Sequence, residues 1–482
     1  MPSARRWCIV AALVAAGLAV TGGPAVRPGS AGADPVATIV PVATPEPVAA
    51  PEPVATPDPR ATPDPAATPG PLATPDPLAT PDPVATPEPP TPEPTPTPAP
   101  TPDPGPISGG SLAVGFTEPN ANLLWPAAAK SPPAPFGRWR DQIARIRPSY
   151  YRLVLDWRSL QPDPDEPLVV AGERSGCLRA RPPCAPYGGL REQLQALAAR
   201  QAQGGWQTVV TIADTPDWAA EPPSGCERPG TESRSRPPSA DALPAYRRMI
   251  REVLALADDV GAELRWWNAW NEPNHPFFMS PQRAVCDVAS PSLAVGAYVR
   301  LSAALQEALD AAPGEQERIL GDLAGTRGPT EHLTSVQEFI AALPADLLCG
   351  TRIWAQHAFL APRDDARVAR DALALRGCAQ PHEIWVTETG VYNGAPQPGP
   401  LRRCRSLHRR MQEWYLDPQV TVAFQYTVRE DDRFPYGLIA TGLDGAYPAL
   451  GLWQAWGGDA RATPDAPAPA LAAACRARPP AG

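Results

Sequence analysis

Short apolar runs alternate with longer amphipathic stretches from about Pro106 to Gly457. The runs read as strands over Leu112–Phe116, Tyr150–Leu155, Thr208–Ile212, Arg265–Trp270, Ile319–Leu323, Ile353–Gln356, Glu383–Thr387 and Thr421–Tyr426. Helical spacing lies between them, as in Leu190–Gln203, where Leu190, Leu194, Leu197 and Ala198 form one buried stripe. Ala242–Ala257 and Leu293–Ala312 repeat that pattern. Alternating strand–helix units of this kind predict an α/β fold, a (β/α)8 TIM barrel over residues 107–460. An open doubly wound sheet is the alternative, but no glycine-rich phosphate loop follows the first strand.

The N-terminal third follows a different pattern. Arg5 and Arg6 precede an apolar run from Trp7 to Val20, and Ala31-Gly32-Ala33 offers a small-residue cleavage site. Residues 1–33 therefore read as an export signal, too short in its apolar run for a membrane span. If it stays uncleaved, it would tether the protein at the cell surface. From Ala43 a six-residue unit of the type ATPDPV recurs eight times within residues 34–106. Proline this frequent removes amide donors and cannot bury a core, so a disordered, extended spacer is expected. The expected product is a secreted monomer with no membrane span.

Charge is concentrated in that spacer. Residues 34–106 hold ten acidic residues and only Arg60, or −9; Arg5, Arg6 and Arg27 give +3, leaving −3 of the total −9 for residues 107–482. A nearly neutral folded part argues against a nucleic-acid partner. Eight cysteines remain beyond Cys8, an even number that suits disulfides in an oxidising compartment. Pairing of sequential neighbours is expected, with Cys404–Cys475 tying the 461–482 tail to the body. A zinc site is the rival, without CxxC spacing or a histidine cluster to support it. No cofactor and no metal are expected.

Two runs end on a glutamate: Trp266-Trp267-Asn268-Ala269-Trp270-Asn271-Glu272-Pro273-Asn274 and Glu383-Ile384-Trp385-Val386-Thr387-Glu388-Thr389-Gly390. Carboxylates just past the fourth and seventh strands would meet across the barrel mouth, where such folds keep their chemistry. Two facing carboxylates are what cleavage of a glycosidic bond requires. Aromatic neighbours would raise the carboxyl pKa of Glu272, as a proton donor needs. A nearby cation, Arg152, would lower that of Glu388. Taken alone, Arg152 also reads as a core ion pair with Asp156 or Asp214, and His357 as a core histidine. Trp157, Trp218, Trp270 and Phe277 lie near strand ends, and Trp218 is the favoured sugar-stacking platform.

These motifs resemble clan A glycoside hydrolases over about residues 111–457. The resemblance implies Glu272 as general acid/base, Glu388 as nucleophile and Asn271 on the sugar 2-hydroxyl. Arg152 matches the arginine beside the nucleophile, and His357 a histidine after the sixth strand. Phe359 stands where many members have a tyrosine and Tyr426 where many have a tryptophan. Tyr426 would replace the platform, and Tyr392 would supply the missing hydroxyl. Within the clan the wording looks most like family 39, with family 5 cellulase-like enzymes next. The implied activity is a secreted retaining β-glycosidase acting within an extracellular polysaccharide, or on an oligosaccharide. A catalytically silent carbohydrate-binding barrel and a transglycosylase are the alternatives.

Overall fold

The computed structural model describes residues 108–118, 123, 136–171, 189–204, 206–359, 363–394, 399–431, 434–458 and 466–476. The signal and spacer readings, Cys177 and Cys184 lie outside the described residues. Eight parallel strands close into a barrel in chain order. They are β1 (Ala113–Thr117), β2 (Tyr150–Asp156), β3 (Gln207–Ala213), β4 (Trp266–Asn268), β5 (Glu317–Leu323), β6 (Ile353–His357), β7 (Glu383–Thr389) and β8 (Val420–Tyr426). All eight predicted runs are strands, and three boundaries matter for the site. β4 stops at Asn268, four residues before Glu272, whereas β6 extends through His357 and β7 through Glu388.

Helices cover the outside of the barrel. In the helix Leu243–Val260, buried Tyr246, Met249, Ile250, Val253, Leu254 and Ala257 recur at three- and four-residue intervals, one face turned inward. Each large apolar side chain there contributes on the order of 1.5–3 kcal/mol by leaving water. Pro244 fits the first turn, where no amide donor is needed, and Gly261 ends the helix in a left-handed conformation (φ 76°).

Tyr150, Trp266, Trp385 and Phe424 fill the barrel interior together with Val209, Ile319, Ile353 and Val422. Their rings meet edge-on or tilted, with Tyr150 and Trp385 centred 5.1 Å apart and Trp266 and Trp385 5.0 Å. Gly115 makes room for this plug, since a Cβ there would lie 2.5 Å from the Phe424 ring. Side chains on a strand alternate, so residues two positions further on face the same interior. Beyond Tyr150 that residue is Arg152, beyond Val209 it is Thr211, and beyond Ala355 it is His357. An apolar floor thus gives way to a polar layer at the C-terminal rim.

Disulfides join Cys226 to Cys286, Cys349 to Cys378 and Cys404 to Cys475, each a pair of sequential cysteines as expected. Among the described residues, no helix is long and apolar enough to cross a membrane.

Candidate active site

Local rules place each glutamate. After β4 the chain turns at Glu272, whose φ of 42° lies in the left-handed region. Its N–H donates to the Asp322 carbonyl at 2.9 Å, and the Asn271 N–H to Ile212 at 2.8 Å, so β5 and β3 grip the turn from both sides. Asn274 locks the far side: its Nδ2 donates to Ala324 (3.0 Å) and Thr334 (3.2 Å), and its Oδ1 accepts from the Ala324 N–H (2.8 Å). Asn274 is therefore explained by backbone hydrogen bonding, whereas the Asn271 side chain accepts from Arg152.

Glu388 arrives through an irregularity. Gln356 pairs with Val386 but His357 pairs with Glu388, so β7 carries an extra residue opposite β6. Such a bulge breaks the alternation of side chains. Both Thr387 and Glu388 then serve the same interior: Thr387 Oγ1 donates to Asp322 at 2.5 Å, and Glu388 Oε1 accepts from Arg152 Nη1 at 2.7 Å.

The structure brings Glu272, Glu388, Arg152, Asn271 and His357 together. Arg152 is fully buried, and its Nη2 donates to Asn271 Oδ1 (2.6 Å) and Asp322 Oδ2 (2.7 Å). Its ion-pair partners are Glu388 and Asp322, neither Asp156 nor Asp214. His357 Nδ1 lies 2.7 Å from Glu272 Oε1 and 3.5 Å from Glu388 Oε2, while Nε2 lies 3.1 Å from Asp322 Oδ1. Burial would push this imidazole down, but the surrounding carboxylates, Glu388 and Asp322 foremost, raise it to about 10. The surrounding carboxylates thus favour its imidazolium form.

Arg152 lowers the Glu388 carboxyl as expected, but the net shift is upward. Burial is the largest influence and raises it; His357 and Arg152 restrain that rise without reversing it, and Glu272 adds to it. Ligand-type atoms of Glu272, His357 and Glu388 all lie within 4.8 Å of one another. The Nδ1 separation from Glu272 is a hydrogen-bond distance, and Arg152 already supplies a cation to Glu388. Hydrogen bonding and ion pairing thus account for the trio.

Asp322 escaped the sequence reading, which took Ile319–Leu323 as a plain strand. A carboxylate inside an apolar run was the available signal, since an ionised group is rarely buried without partners. Burial opposes its ionisation, yet Arg152, His357 and the hydrogen bond from Thr387 carry its carboxyl far below the usual range.

Aromatic residues divide into two groups. Trp157 and Trp270 are core, fully buried. Trp218 is half-buried against Trp157 and donates its indole N–H to Gln161 at 3.0 Å. Phe277 is exposed under the Arg234 guanidinium. Tyr426 ends β8, half-buried, its ring 5.6 Å from Phe434. Phe359 packs on Phe434 and Tyr436 at 4.8 and 4.6 Å. Tyr392 lies beneath Arg403, its hydroxyl against Gly394, where an added Cβ would be 2.5 Å away. His357 Nδ1 stands 3.5 Å from Glu388 Oε2.

No protein-family model and no curated protein sequence matches this chain. Among solved structures it is similar to a family 30 endoxylanase from Clostridium papyrosolvens C71, at 9% identity and TM-score 0.45 over 73% of both chains. A family 39 glycoside hydrolase from Bacteroides cellulosilyticus WH2 is similar at 11% identity and TM-score 0.43, over 72% of this chain and 64% of that one. A monomeric beta-xylosidase from Caulobacter crescentus CB15 is similar at 14% identity and TM-score 0.43, over 72% and 69%. These likenesses are of fold.

Proposed function

We infer that this protein is a secreted retaining glycoside hydrolase that cleaves β-glycosidic bonds within an extracellular polysaccharide. The carrying observation is the approach of Glu272 and Glu388, whose nearest oxygens lie within 4.8 Å. Retaining enzymes hold their carboxyls roughly 5–5.5 Å apart, and inverting ones leave roughly 6.5–9.5 Å for a water. Glu388 attacks the anomeric carbon while Glu272 gives its proton to the departing oxygen. The carbon–oxygen bond breaks as a glycosyl ester forms on Glu388. Glu272, now ionised, takes a proton from water, which attacks the same carbon and releases Glu388.

The accessory residues follow. Asn271, its carbonyl oxygen committed to Arg152, offers its amide N–H to the sugar 2-hydroxyl. Tyr426 and Trp218 supply apolar faces for sugar rings. Three disulfides favour an oxidising compartment, and the proline-rich residues 34–106 would serve as a spacer from the export signal. Family 39 is the assignment within the clan that the two glutamate motifs favour.

Incubating the protein with plant, bacterial and fungal polysaccharides, while following the first-formed anomer by NMR, tests this. A β-anomeric first product from a β-linked chain is expected. Inversion, or turnover unchanged by Glu272→Gln, would overturn it.

A further inference from the structure

Asp322 is where four strands meet through one carboxylate. Its Oδ2 accepts from Arg152 Nη2 at 2.7 Å and Thr211 Oγ1 at 2.8 Å. Its Oδ1 accepts from Thr387 Oγ1 at 2.5 Å and His357 Nε2 at 3.1 Å. An ionised carboxylate has about four acceptor sites, so this one is saturated. All four donor residues are buried, as is Asp322. A buried ion pair of this kind is a poor device for stability alone, because desolvation offsets its attraction.

The backbone is also unusual here. Gly321 and Asp322 have φ of 93° and 59°, and the β5 register shifts between Gly321 and Leu323. Gly321 is required, since a Cβ would sit 2.3 Å from the Ala355 carbonyl oxygen. Bulges re-aim side chains, and left-handed non-glycine residues gather at functional sites.

We propose that Asp322 is the positioning residue of the glutamate pair, gripping Arg152 and His357 each by one nitrogen so that the other nitrogen faces a glutamate. Arg152 gives Nη2 to Asp322 and Nη1 to Glu388. His357 gives Nε2 to Asp322 and turns Nδ1 to Glu272 and Glu388. The Asp322 carbonyl also fixes the Glu272 backbone. The catalytic consequence rests on the glycosidase reading; the geometry does not.

Charge counting gives Asp322 its second effect. Arg152 and His357 are two cations facing three carboxylates, Asp322, Glu272 and Glu388. One added proton neutralises the set, and that is the proton the general acid must carry. Without the Asp322 charge, the same two cations balance both glutamates, and the proton is held less tightly.

The test uses the full chain with Asp322→Asn, an isosteric change. Nitrogen-15 NMR of the imidazoles, with His357 assigned by its own variant, reads the geometry without needing turnover. His357 should carry both ring protons at pH 8 in the native protein and give one up at a lower pH in Asp322→Asn than in the native protein, since one of the carboxylates that raise it is gone while Glu388 and Glu272 remain. On an aryl glycoside that the native protein cleaves, kcat should fall about 10–100-fold, as for other residues that orient a catalytic group through a hydrogen bond. KM should change little, and the alkaline limb of the pH profile should move to lower pH. An Asp322→Asn protein whose His357 titrates no lower than in the native protein, or whose pH profile is unmoved, overturns the proposal. If that variant does not fold, Asp322→Ser, which removes the same charge in a smaller side chain, must shift His357 in the same direction; no shift overturns it. If the native protein cleaves no glycan, the hydrolase reading fails while the His357 titration still decides the positioning role.

Discussion

Arg152 and Glu388 are joined at 2.7 Å inside the barrel although 236 residues separate them in the chain. The same guanidinium also bonds Asn271 and Asp322, which calls for a planar fork of several donors. Arg152→Lys should fold but lose most activity, since one ammonium cannot reproduce that fork. Arg152→Ala leaves buried carboxylates uncompensated and should cost about 3–5 kcal/mol in urea unfolding. A cost under about 1 kcal/mol would show that the ion pairs do not hold the rim together.

The roles proposed for Glu272 and Glu388 would separate by leaving group. Glu272→Gln should lower turnover of an unactivated glycan by about 10²–10⁴, the usual worth of a proton donor. It should do much less harm on an aryl glycoside whose leaving group needs no proton. Glu388→Gln should abolish both, because no bond to the anomeric carbon can form. Equal losses on the two substrates for both variants would contradict the division of roles.

Burial raises the Glu388 carboxyl, so activity should fall as pH drops through a value above the ordinary glutamate pKa of about 4.3. A kcat/KM profile whose acid limb lies at or below that value would contradict this. The stability sign is opposite to that of a paired surface carboxylate. The folded state holds this proton more tightly than the unfolded chain, so ionising Glu388 costs stability as pH rises above the unfolded value. Glu388→Gln should therefore raise the thermal midpoint at pH 7 and leave it nearly unchanged at pH 4. His357 runs the other way along the scale. Raised to about 10, it contributes stability in full below an unfolded pKa of about 6.5, lost as pH climbs through about 10.

Reducing the disulfides should destabilise the barrel unequally. The Cys404–Cys475 and Cys226–Cys286 pairs span 71 and 60 residues, against 29 for Cys349–Cys378. Loop-closure entropy favours the longer spans by roughly 0.6–0.8 kcal/mol over a total of about 3–5 kcal/mol each. Paired Cys→Ser variants followed by thermal unfolding would measure this, and a change near zero for Cys404–Cys475 would mean the tail contributes nothing.

Much of this architecture could be read before any coordinates. Strands such as Ile353–Gln356 and Glu383–Thr387 are short apolar runs between polar segments, and periodicity alone locates them. Glu272 and Glu388 were legible because aromatic, β-prone residues lead into each and a Pro or Gly follows. Arg152 was legible through the resemblance and as a strand arginine that needs a carboxylate partner, though the partners expected from sequence, Asp156 and Asp214, were not the ones it has. What stayed hidden depends on register. The extra residue in β7 and the turn of the backbone at Gly321 and Asp322 alter which side chains face inward, and no local pattern announces either. The balance of burial against Arg152 at Glu388 was likewise hidden, since it is set by how much protein surrounds the carboxyl.

The aromatic stopper of Tyr150, Trp266, Trp385 and Phe424 makes the interior a shallow cup instead of a tube. No polymer can be threaded through such a vessel. A long glycan would have to lie sideways over the brim with its two ends trailing free, and severed pieces would depart by the side from which they came.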